Sequence, residues 1–233
     1  MRVTGASWIS RLGRLFACTS LALLPVLALA AEEDPWEGFN RKVFTFNDTI
    51  DTYALKPLAQ GYQTVTPQFL EDGVHNVFGN IGDVGTLANN LLQGKFHDAG
   101  VDTGRLIFNT TFGLLGFFDV AKHMGLAKND EDFGQTLGAW GLGSGPYLVL
   151  PLMGPSTVRD AGATIPDSFL TPYPHIDHVP TRNVIRGVDV IDTRASLLSA
   201  ERMVSGDKYI FIRNAYLQNR EFRVQDGEVE DDF

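Results

Sequence analysis

The chain has 233 residues, 44% hydrophobic and 20% charged, enough for one domain with a sizeable core and too apolar for a disordered chain. Its formal net charge is -9, and the first thirty residues contribute Arg2, Arg11 and Arg14 but no acid, so the remainder is more acidic still. That balance excludes nucleic acid as a partner, because phosphate binding requires a basic face.

The first segment pairs those arginines with the uncharged run CTSLALLPVLALAA, which ends in Ala28-Leu29-Ala30. This is the pattern of a secretory signal peptide over residues 1–30, cut after Ala30. The apolar run, roughly 14 residues, falls short of the ~20 needed to span a bilayer. Cys18 is the only cysteine. A lipoprotein cysteine follows its apolar run, whereas Cys18 precedes this one, so a plain signal peptide is preferred to Cys18 as a lipid anchor.

A domain over 31–222 follows. Asp34, Pro35 and Glu37 form a capping-box start, with Asp34 as the N-cap. Phe39, Val43, Phe46, Ile50 and Tyr53 then step by four and three, predicting a helix that buries this stripe and ends at Pro57. The next helix starts at Thr66-Pro67 and carries Leu70, Val74, Val77, Ile81, Val84, Ala88 and Leu91 in the same rhythm. Its glycines at 73, 79, 82 and 85 each cost about 1 kcal/mol against alanine, so they are expected to bend it or to admit another backbone. A third helix is predicted from near Asp98 through Ile107. A fourth carries Val184, Val188, Ile191, Ala195 and Leu198, and Tyr209, Ile212 and Tyr216 mark a short last one. Nothing alternates with period two over a useful length, so the class is all-α. Residues 168–182, with Pro172, Pro174 and Pro180, read as an irregular connection, and 223–233 as an acidic disordered tail.

Two segments are unusually apolar. LIFNTTFGLLGFFDVAKHMG, residues 106–125, is too densely apolar for a one-faced helix and reads either as a core helix and turn or as a helical hairpin with a second apolar surface that meets lipid. PYLVLPLMG, residues 146–154, is too short to span a membrane, and its prolines predict an irregular loop without regular hydrogen bonding, inside a core or dipped into one leaflet.

Catalytic patterns are absent. Around Ser144, Leu142 and Pro146 stand where the outer glycines of a nucleophile elbow belong, and Gly141-x-Gly143-x-Gly145 follows no strand. His175, Asp177 and His178 lack the helical spacing of a metal site. No enzyme activity, cofactor or metal is predicted.

GFNRKVFTFND, NNLLQG, NTTFGLLGFFDVA, DFGQTLGAWGLGSGPYLVLPLMGPSTVRDAG and YIFIRNAYLQNREF resemble, in that order, the MlaA (VacJ) family of Gram-negative outer-membrane phospholipid-transport lipoproteins, over about Trp36 to Phe222. The resemblance implies a single-domain helical ring whose amphipathic helices lie in the periplasmic leaflet of the outer membrane, around an amphipathic channel. It implies passive removal of phospholipids misplaced in the outer leaflet, preserving lipid asymmetry, with a periplasmic lipid carrier and a trimeric porin as partners. Carried onto this sequence, it makes Gly113, Leu114, Leu115, Gly116, Phe117, Phe118, Val120 and Met124 the hairpin beside the lipid path, with flexible points at Gly113, Gly116 and Gly125. It makes Tyr147, Leu148, Val149, Leu150 and Leu152 the membrane-contacting loop. Family members carry a modified cysteine first in the mature chain, a feature that a start at Ala31 lacks. The alternatives from other classes are a structural envelope protein that binds a porin without moving lipid, and a periplasmic hydrolase using Ser144 or the histidine cluster.

Overall fold

Helix α1, Glu37–Ile50, opens the fold, and its sequence-predicted stripe is divided, with its aromatic members turned outward and Val43 and Ile50 half-buried. Phe39, Phe46 and Tyr53 are exposed, while the buried line runs through Asn40 with Val43 and Phe44 beside it. The N-cap position falls at Trp36, whose side chain makes no capping bond, rather than at Asp34. Pro57 does not end the helix as expected. The chain widens into a π turn at Asp51–Leu55, where Lys56 N donates to Asp51 O, and α2, Lys56–Val65, restarts with the proline in its first turn. A proline there loses no helical donor bond, which is why it is tolerated.

The computed structural model describes residues 34–171 and 173–227, so the signal peptide predicted over 1–30, Cys18 and the end of the acidic tail lie outside the described residues. The elements belong to one unit that begins at Trp36. After α2 come α3, Gln68–Gln93, and α4, Phe96–Thr111. A short α5, Val120–His123, and α6, Phe133–Ala139, follow. Strands β1, Tyr147–Leu150, and β2, Gly154–Thr157, lead into α7, Val158–Leu170. Helix α8, Val179–Ser196, and α9, Lys208–Val224, complete the chain. The fold is all-α apart from one two-stranded sheet.

The sheet corrects the reading of residues 146–154 as an irregular loop. β1 and β2 pair antiparallel, Tyr147 with Thr157 through Leu150 with Gly154, so Pro146, Pro151 and Pro155 all sit where a ladder donor is dispensable. The last helix is longer than expected and takes Arg223 and Val224 from the predicted tail, with Arg223 paired to Asp130 at 2.6 Å.

The elements close a circuit. The continuous α1–π–α2 segment packs on α8, α8 on α3, α3 on α7, α7 on β1, and β1 back on α1. The expected helical ring is thus a chain of contacts that returns to its start.

Its interior is polar. The buried side chains of α3 are Asp83, Thr86, Asn89 and Asn90, whereas Val84, Leu91 and Leu92 of the expected stripe are exposed. Helix α4 answers with Asp102, Arg105 and Asn109. Asn90 donates to Asp102 at 2.7 Å, and Arg105 donates to Asp83 at 3.2 Å and to Asp119 at 3.1 Å. Paired in this way, the carboxylates and Arg105 tolerate burial that would otherwise cost several kcal/mol each, while Asn90 Oδ1 is left without a bond among the described residues. One apolar core cluster, Tyr147, Val149 and Tyr209, packs against Val43, Phe44, Tyr216 and Leu217. Gly73 admits a side chain instead of a backbone, since a Cβ there would stand 2.1 Å from the Phe117 ring.

Candidate functional site

Two asparagines one heptad apart on α1 set the position of the hairpin. Asn40 Nδ2 donates to Tyr147 O at 3.0 Å and its Oδ1 accepts from Val149 N at 2.9 Å. Asn47 repeats the pattern, donating to Leu150 O at 2.9 Å and accepting from Leu152 N at 2.8 Å. The side-chain amides thus pair the free edge of β1, a row of donors and acceptors that would otherwise be open. The three-residue turn that follows, Pro151-Leu152-Met153, places Leu152 at φ 63°, a left-handed position that costs a leucine roughly 1–2 kcal/mol, and leaves Leu152 and Met153 exposed.

The turn separates two cavities, and Met153 lines both. One, of about 430 Å³, has the apolar wall Ile50, Leu55, Leu152, Val190 and Leu197. Its polar wall is Arg194, which donates from Nε to Asp51 at 2.6 Å and from Nη2 to Glu201 at 2.8 Å. Arg194, with Lys56 on the other side, holds the Glu201 carboxyl down at about 2. The second cavity, of about 340 Å³, is charged: Asp132, Asp160, Asp167, Tyr216, Arg220 and Arg223 line it with Leu150 and Pro155 at its lip. Arg220 reaches Asp132 at 2.5 Å and Asp160 at 3.0 Å, and Tyr216 donates to Asp160 at 2.8 Å. Burial alone would push the Asp160 carboxyl up, but Arg220 and Arg159 hold it below the usual carboxylate range. In Asp167 burial wins, and its value is raised.

The structure distributes the sequence-predicted residues differently from expectation. Tyr147 and Val149 are 2% and 1% exposed and form the protein's own core, so they cannot contact a membrane. Strand alternation explains the correction: Leu148 and Leu150 are half-buried, and Leu152 in the turn is exposed. None of Gly113, Leu114, Leu115, Gly116, Phe117, Phe118, Val120 and Met124 lines either cavity at the hairpin turn.

Of those residues, Gly113 to Phe118 form a separate projection between α4 and α5, while Val120 opens α5 and Met124 stands at its C-terminal end. Phe112, Leu114, Leu115, Phe118 and Met124 are exposed, while Phe117 turns back onto Gly73 of α3. Leu114 and Leu115 both adopt left-handed backbone, at φ 53° and 61°. Gly113 is enclosed, for a Cβ would stand 2.2 Å from Phe118 O. The base is tied by Asn109, which donates to Asp119 at 3.0 Å and accepts from Ala121 N at 2.9 Å. His178 serves as the N-cap of α8, bonded to Thr181.

Sequence reasoning missed Asn40, Asn47, Asp167, Arg194, Arg220 and Met153. A heptad pair of asparagines on the side of α1 next to its apolar stripe was a usable signal. Arg220 and Asp160 lie 60 residues apart, and no local pattern joins them.

A largely polar interior, many exposed apolar side chains and a charged cavity adjoining an apolar one define a helical protein suited to amphipathic molecules. The pattern of the MlaA lipoproteins matches residues 32–223, and the chain belongs to that family. It is 36% identical over 207 residues to the intermembrane phospholipid transport system lipoprotein MlaA of Escherichia coli K12, covering 84% of this chain and 80% of that one. It is 33% identical to the protein of the same description from Haemophilus influenzae, over 86% and 83% of the two chains. An uncharacterised Rickettsia bellii protein is 39% identical over 82% of this chain and 77% of that protein. A solved structure bearing on the maintenance of bacterial outer membrane lipid asymmetry superposes with a TM-score of 0.72 and 33% identity, covering 82% of this chain and 98% of that chain.

Proposed function

We propose that this chain is the outer-membrane component of an intermembrane phospholipid transport system, a passive passage that removes misplaced phospholipids from the outer leaflet and so maintains lipid asymmetry. The observation that carries the reading is the pair of cavities meeting at Met153, one apolar and one charged, because a phospholipid needs both environments at once. The family and the phospholipid transport proteins among its relatives support it.

Physical chemistry then assigns roles. The exposed apolar residues, with Phe112, Leu114, Leu115 and Phe118 of the α4–α5 projection and Phe169 of α7 among them, face acyl chains of the inner leaflet. No helix among the described residues is long and apolar enough to cross a membrane, which suits residence in one leaflet. The polar interior keeps the helices together where lipid gives no hydrophobic drive for association. The protein makes no covalent change, and direction comes from energy supplied elsewhere. A periplasmic lipid carrier receives the lipid, and a trimeric porin stands beside the chain in the membrane.

The test is outer-leaflet phospholipid in cells lacking the protein, complemented by the wild type or by Met153→Asp. A charge in the shared wall costs a few kcal/mol in an acyl environment. Wild type restores asymmetry and Met153→Asp, folded by circular dichroism, does not. Full clearance by Met153→Asp contradicts the passage.

A further inference from the structure

The charged cavity holds three carboxylates, and they are not equivalent. Arg220 occupies Asp132 and Asp160, and Asp160 also accepts from Arg159 Nε at 2.9 Å. Among the described residues Asp167 makes no ion pair, and Arg220, committed to Asp132 and Asp160, reaches it only through its charge. It accepts from Phe133 N at 2.9 and 3.1 Å and from Asn89 Nδ2 at 3.3 Å, three contacts for a group with about four lone-pair sites. Burial, reinforced by the charge of neighbouring Asp132, already raises it. A half-buried carboxylate in that position is stabilised by any ligand that brings a positive charge.

Across the cavity, Arg223 sits one turn after Arg220 on α9, and its partner Asp130 is exposed. Such a surface pair is worth only ~0.2–1 kcal/mol and yields readily to a stronger anion. Among the described residues the lining therefore offers one carboxylate without an ion pair and one guanidinium with a weak partner. With Asp132, Asp160 and Asp167 set against Arg220 and Arg223, it repels a ligand whose only charge is negative.

We propose that this cavity recognises a zwitterionic phosphoethanolamine headgroup, with the ammonium on Asp167 and the phosphate on Arg223, so that the protein prefers amine-bearing phospholipids to anionic ones without an amine. The inference rests on the phospholipid-passage reading and adds the headgroup chemistry to it.

Full-length protein in mild detergent is equilibrated with vesicles of equal phosphatidylethanolamine and phosphatidylglycerol, and the lipid retained after re-isolation is identified by mass spectrometry. A charged hydrogen bond predicts about ten-fold enrichment of the ethanolamine lipid on the wild type. Asp167→Asn lowers retention of the ethanolamine lipid and brings the ratio near one, while Arg223→Gln lowers retention of both lipids. N-acylation of the ethanolamine lipid, which removes the amine charge, abolishes its advantage on the unaltered protein. Soluble phosphoethanolamine competes with the enrichment and inorganic phosphate does not. Equal retention of the two lipids by the wild type, or an unchanged ratio in Asp167→Asn, overturns the headgroup proposal and leaves the passage standing. Retention of neither lipid overturns both.

Discussion

The two apolar segments, residues 106–125 and 146–154, look alike in composition and end in opposite places. The second becomes a strand and turn whose Tyr147 and Val149 supply the core, while the first closes α4 and lifts Phe112, Leu114, Leu115 and Phe118 clear of it. Polar side chains make the difference. Asn40 and Asn47 hold the strand edge against α1, whereas Asn109, Asp119 and Arg105 clamp only the base of the projection. Apolar density marks a segment that avoids water, and the hydrogen-bonding partners decide whether the protein's own core covers it.

Paired aspartates break this comparison most sharply. Val149→Asp puts an unpaired charge into the core and abolishes folding, seen as loss of a cooperative thermal transition in mild detergent. Leu114→Asp changes an exposed residue, leaves the same transition within about 0.5 kcal/mol of wild type, and abolishes lipid clearance in cells. Arg105→Ala comes next. It takes the ion-pair partner from buried Asp83, which keeps only the charge of Lys128, and removes a tie on Asp119, costing about 3–5 kcal/mol by urea titration. Asn40→Ala leaves Tyr147 O and Val149 N without their partners, for about 1–3 kcal/mol, with the loss concentrated in hydrogen exchange of β1.

The last effect is a pH dependence carried through Arg194, in the wall of the cavity that Leu152 and Met153 also line. Glu201 lies at about 2 in the folded protein against an unfolded value of 4.5, so its contribution is complete above about 4.5 and is lost as pH falls toward about 2. Glu201→Gln should flatten that part of the stability curve without altering the difference between Val149→Asp and Leu114→Asp.

Helices α2, α6 and α7 were not read from the sequence, whereas α1, α3, α4, α8 and α9 were legible because their periodicity survives whichever face is buried. Which face that is was not legible. Reading α3 by the rule for soluble helices puts Leu70, Val84 and Leu91 inside, yet the interior holds Asp83, Asn89 and Asn90. The same polar residues, spaced along one side of α3, carried the inverse signal. The hairpin was hidden because its alternation lasts only four residues and proline marks both ends of β1. The α4–α5 projection and the 146–154 segment were both singled out from sequence, but the cavities depend on Asp51 with Arg194 and Asp160 with Arg220, contacts 143 and 60 residues apart that no local reading supplies.

The decisive measurement places single cysteines at Leu114 and Phe169 of the predicted cysteine-free mature chain, labels them with an environment-sensitive fluorophore and reconstitutes the protein in phospholipid vesicles. An apolar exterior set in a leaflet predicts strong quenching by a quencher carried on the acyl chains and protection from iodide at both sites, with the reverse at Lys122 on the exposed side of α5. Iodide access at Leu114 and Phe169 equal to that at Lys122, with no effect of the lipid-borne quencher, would contradict it.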